Sequence, residues 1–167
     1  MSEITLNGIP VQFPGEVDRN AAANLRTTLQ LVPARHLPIL RRIVVFTPQP
    51  SADPYAGGDS GQGYPRLSAL CFDRRRRPNN YPFNLTLLHE IGHIVDHHFH
   101  CLETMRREAP DDYAALQVEI HIAPERRTHG AGELFADAYQ KVLTGRGASQ
   151  RVRAAVMAST AFVGVYL

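Results

Sequence analysis

A chain of 167 residues, 44% of them hydrophobic, is long enough for one globular domain with a core of its own, spanning 1–167. A formal net charge of +2 makes no demand for nucleic acid, so none is expected as a partner, and acidic substrates are favoured only weakly. Met1 to Gly15 lacks the basic start and apolar core of a secretory signal, and the longest uncharged run, Ala154 to Leu167, is too short to span a membrane. The expectation is a soluble chain. It is held in the cytoplasm of its producer, exported without a cleaved signal or excised from a longer toxin; the oligomeric state is not legible.

The N-terminal part reads as a small sheet. Ile4-Thr5-Leu6 and Ile9 to Phe13 flank the tight-turn dipeptide Asn7-Gly8, which predicts a peripheral hairpin. Asp18 caps a helix running to Leu31, with Ala22, Leu25, Leu29 and Val32 at helical spacing and Pro33 as its stop. Arg41 to Phe46 is a β-branched strand. Thr47 to Pro65 is rich in Pro, Gly, Ser and Asp and has no periodicity; it reads either as a substrate-contacting lid or as a surface connection, and Asp53 and Asp59 lack calcium-loop spacing. Arg66 to Phe72 predicts a further strand. Asp73 to Asn80 comes next with the run Arg74 to Arg77, read as a solvated turn before a nucleic-acid contact because no aromatics interleave it; contact with an acidic substrate also stays open. Cys71 and Cys101 have no C-x-x-C spacing and read as buried thiols first, a disulfide second.

Leu85 to His97 carries an uninterrupted H-E-x-x-H on a helical pattern. Positions four apart on a helix share a face, so His89 and His93 can converge on one metal ion, while Glu90 flanks that face and can reach a water held there. A bare motif of this kind fits a satisfied polar cluster as well as a metal site. Leu85, Leu87, Leu88, Ile91, Ile94 and Val95 change the balance, because two imidazoles and a carboxylate in an apolar helix cost free energy unless something binds them. His97 lies about 12 Å along the axis from His89, with no glycine between His93 and His97 to turn the chain back, so His97 and His98 read as a solvated helix end.

Beyond it, Leu102 to Ala109 is helical in composition, Pro110 breaks it, and Asp111-Asp112 cap a helix to Ile122 that Pro124 ends. Glu125 to Ala131 is a polar loop into a helix that ends by Gly145, and Gly147 to Met157 allows one more. On the helix after the loop, Glu133 and Asp137 share one face beside Leu134, Phe135 and Ala138. They read as a third zinc ligand, Glu133, and a carboxylate, Asp137, that accepts a hydrogen bond from the spare nitrogen of a zinc histidine, His89 first. The bland alternative is an amphipathic helix with solvated acids.

His89-Glu90-Ile91-Gly92-His93 with Glu133-Leu134-Phe135-Ala136-Asp137-Ala138-Tyr139 resembles the gluzincin metallopeptidases, and is most similar to the catalytic domain of anthrax lethal factor and its relatives, the secreted Pro-Pro endopeptidases among them. The resemblance covers about a third of the chain, from Asn80 to Val142. It implies an α+β, zincin-like fold with a small N-terminal sheet and a helical C-terminal half. It also implies peptide-bond hydrolysis with a protein or peptide as substrate, a toxin or effector role, and the strand before the motif helix as the cleft edge. Those relatives carry a tyrosine shortly before the ligand glutamate; here Arg126, Arg127 and His129 occupy that stretch. His129 and Arg126 are therefore the expected oxyanion donors, with Tyr139 and the long loop in reserve.

The resulting expectation is a zinc endopeptidase holding one Zn2+ per chain through His89, His93 and Glu133, with Glu90 as general base. Two rivals stand beside it: a zinc-stabilised, catalytically idle binding module holding a partner through its basic loop, and a nucleic-acid-binding effector using Arg74 to Arg77.

Overall fold

The computed structural model describes residues 1–47, 58–72, 83–120 and 132–161. The architecture is mixed α+β, with a five-stranded sheet in the order β1-β2-β3-β5-β4 and helices packed against it.

β1 (Ser2–Leu6) and β2 (Ile9–Phe13) form the expected antiparallel hairpin, with Asn7 and Gly8 both at positive φ in the turn. The hairpin is not peripheral. Alternation along β2 buries Ile9, Val11 and Phe13, and β2 pairs in parallel with β3 (Ile43–Phe46), so the hairpin extends the main sheet. β3 pairs in parallel with β5 (Arg66–Ser68), and β4 (Gly58–Asp59) adds antiparallel to β5. The run expected as one strand from Arg66 to Phe72 divides: after Ser68 the chain tightens into a 3-10 turn at Ala69–Phe72. β4 therefore lies at the edge of the sheet, outside the strand before the motif helix, which the resemblance implies as the cleft edge.

α1 (Arg19–Leu29) starts where the Asp18 side chain accepts hydrogen bonds from the backbone N–H groups of Asn20 and Ala21. It turns Ala21, Leu25 and Leu29 into the core. A short 3-10 helix at Ala34–Ile39, not foreseen because Pro33 and Pro38 interrupt any longer pattern, carries the fully buried His36.

α2 (Phe83–Phe99) and α5 (Gly132–Thr144) are the principal packing pair. Leu87, Leu88, Ile91 and Val95 of α2, and Leu134, Phe135, Ala138 and Tyr139 of α5, are buried in one core cluster. α2 ends as His100 takes a left-handed conformation and Asp96 accepts the Leu102 N–H at 2.9 Å, which turns the chain into α3 (Cys101–Glu108). α4 (Pro110–Glu119) has Pro110 in its first turn, where a missing N–H costs nothing, so the proline starts this helix as well as separating it from α3. α5 ends before Gly145, whose φ of +70° suits a helix stop, and Ser149 caps α6 (Gln150–Ser159). Cys71 and Cys101 are buried thiols and form no disulfide. None of the described helices is long and apolar enough to cross a membrane.

Candidate metal centre

The two helices meet at a glycine. A Cβ on Gly92 would stand 2.7 Å from the Ala136 Cα and 3.2 Å from its carbonyl oxygen, so α2 and α5 approach closely only because Gly92 has no side chain and Ala136 a minimal one. That contact lies between the turns carrying His89 and His93 on α2 and those carrying Glu133 and Asp137 on α5.

Four side chains then converge. His89 Nε2 and His93 Nε2 lie 3.0 Å apart; Glu133 Oε2 is 3.5 Å from His89 Nε2, and Glu133 Oε1 is 3.2 Å from His93 Nε2. On the opposite side of its ring, His89 Nδ1 is 2.9 Å from Asp137 Oδ1. His89, Glu133 and Asp137 are buried and His93 is partly so. His89, His93 and Glu133 thus form a group that could hold a metal ion, each offering one ligand atom within 4.8 Å of the others. A carboxylate on Nδ1 favours the tautomer that carries its proton there, which leaves Nε2 with a lone pair directed at the group.

Glu90 is also buried, next in sequence to His89 and outside that ligand set. Burial pushes its carboxyl above the ordinary range, against the opposing pull of His89, His93 and a hydrogen bond from the Ser60 side chain. His97 and His98 are exposed near the end of α2, as the sequence indicated.

Tyr139, held in reserve as an oxyanion donor, does not serve that face. It is fully buried, and its hydroxyl lies 2.8 Å from His36 Nδ1. His129, Arg126 and Arg127 lie outside the described residues, as does the run Arg74 to Arg77. Two contacts escaped the sequence reading: Ser60 with Glu90, and His36 with Tyr139. Both join an aperiodic segment to a helix far along the chain, and neither leaves a local pattern.

No protein-family model, no curated protein and no solved structure matches this chain.

Proposed function

We propose that this chain is a zinc-dependent endopeptidase of the zincin type, acting on a peptide or protein substrate in the manner of a toxin or effector protease. The observation that carries this reading is the spacing of the ligand atoms. A tetrahedral zinc with bonds of about 2.0–2.1 Å keeps its ligand atoms about 3.3 Å apart. The separations of 3.0, 3.2 and 3.5 Å among His89, His93 and Glu133 bracket that value. Two imidazoles and one carboxylate suit zinc and leave a coordination position open.

When bound, zinc supplies Lewis acidity toward the scissile carbonyl and a water of lowered pKa. The protein supplies the rest. Glu90, buried beside the ligands, takes the proton from the attacking water and hands it to the amine nitrogen as the C–N bond breaks. Asp137 holds the His89 ring in the orientation and tautomer that binding needs. Residues 121–131, which contain His129 and Arg126, lead directly into the helix of Glu133 and are the proposed source of the oxyanion donor.

The test is incubation of the zinc-loaded protein with a peptide library, with and without chelator, alongside Glu90→Gln. Cleavage that chelator abolishes, and that Glu90→Gln loses by about 10²–10⁴-fold at unchanged metal content, is the expected result. A zinc-loaded protein that cleaves nothing overturns the reading in favour of an idle binding module.

A further inference from the structure

Glu90 is touched by an element outside the two motif helices. β4 lies so closely between β5 and α2 that a Cβ on Gly58 would stand 2.7 Å from the Arg66 carbonyl oxygen of β5, and 3.0 Å from Thr86 Cγ2 and 3.2 Å from Glu90 Cγ of α2. Only a residue without a side chain lets the strand occupy that space. The segment is held from both sides. Gly58 and Asp59 pair with Leu67 and Arg66 of β5, and the Asp59 carboxylate meets the Arg66 guanidinium at 3.3 Å, which itself lies over the Phe46 ring at 5.1 Å. On the far side, the Ser60 carbonyl accepts the Gly63 N–H at 2.9 Å and closes the turn back toward β5. Ser60 follows β4 directly, and its side chain is a polar group that pulls the buried Glu90 carboxyl back down against burial.

We propose that Ser60 is a positioning residue for the general base, its hydroxyl donating to one carboxylate oxygen of Glu90 and leaving the other to exchange the proton with water and leaving amine. This rests on the reading of Glu90 as general base. A glutamate side chain has three rotatable bonds, and proton transfer needs its oxygen within hydrogen-bond reach of the reacting water. Burial and the close approach of the Gly58 backbone restrain the Glu90 stem but do not choose between orientations of the carboxylate. A hydroxyl fixed on a separate, sheet-anchored element does choose. It also ties the base to the sheet edge.

The test combines kinetics with melting. Ser60→Ala should lower kcat by about 10–100-fold with KM and metal content unchanged, as misplacement of a reacting group does. Ser60→Thr, which keeps the hydroxyl, should recover most of the loss. Gly58→Ala, whose Cβ would meet the Arg66 carbonyl oxygen at 2.7 Å and so displaces β4 with Ser60 intact, should reproduce it. Unchanged kcat in Ser60→Ala, or a rise in KM alone, overturns the proposal. The activity-free arm is a thermal-unfolding cycle: Ser60→Ala should lower Tm by about 2–4 °C in the wild-type chain and scarcely at all in Glu90→Ala. Equal shifts in both backgrounds overturn the Ser60–Glu90 contact whatever the activity. A protein that cleaves no peptide yet melts in the coupled way overturns the peptidase reading and supports the contact.

Discussion

The Asp137 carboxylate lies 2.9 Å from Nδ1 of His89, on the side of the ring away from the nitrogen that faces His93 and Glu133. On the proposed reading, Asp137 acts on the bound ion through the histidine. Asp137→Asn should keep the fold and weaken zinc binding by about 10–100-fold, the usual consequence of removing such a partner. Competition against a chelator of known affinity measures it. Unchanged affinity would mean that the ring is oriented by packing alone.

Glu133 differs in kind, because its own oxygens face both imidazoles at 3.5 and 3.2 Å. Glu133→Ala should therefore weaken zinc binding by more than the about 10–100-fold expected at Asp137. Metal analysis after dialysis, compared with Asp137→Asn prepared in parallel, checks the order. An equal or smaller loss would place the third ligand elsewhere in the chain.

Gly92→Ala tests the close approach of the helices. In an open helix the change would stabilise by about 1 kcal/mol through propensity. Here the new Cβ would meet the Ala136 Cα at 2.7 Å, a backbone atom that cannot rotate away. Overpacking costs about 1–3 kcal/mol, so the net expectation is lower stability, together with weaker metal binding as α5 is pushed off α2. Urea unfolding of the two chains decides the sign. A gain in stability would show that the helices separate at no cost.

The sequence made α2, α5 and their convergence legible because each statement was local or one step from local. The His89/His93 and Glu133/Asp137 spacings name a helix face, and an apolar helix bearing such groups requires a second face opposite. What stayed hidden was long-range. Asn7-Gly8 announces a hairpin, but nothing in the strands reveals that β2 also pairs with β3. Gly58 and Asp59 look like loop residues, since a two-residue strand has no period to read; only its pairing with β5 makes it one. The same blindness covers His36, placed by a proline-bounded turn whose partner Tyr139 lies on a distant helix.

That buried histidine gives the last prediction. His36 is fully buried, its Nε2 3.3 Å from the Arg35 Nε donor and its Nδ1 2.8 Å from the Tyr139 hydroxyl. If Nε2 accepts from Arg35, a neutral ring carries its proton on Nδ1 and donates to Tyr139, which satisfies both nitrogens without a charge. Burial, helped by the Arg35 guanidinium, lowers its pKa from 6.5 to about 4. Between those values the unfolded chain takes up a proton that the folded chain refuses. Stability from this group is therefore whole above pH 6.5, declines as the pH falls, and is gone below about pH 4. The gap corresponds to about 3 kcal/mol. Urea unfolding of wild type and His36→Asn from about pH 7.5 to about pH 4.5 separates this contribution from the carboxylates and the metal site, which both chains share. His36→Asn should be less stable at the neutral end, and its deficit should shrink as the pH falls. Parallel curves across the range would show that His36 is not the source of the acid sensitivity.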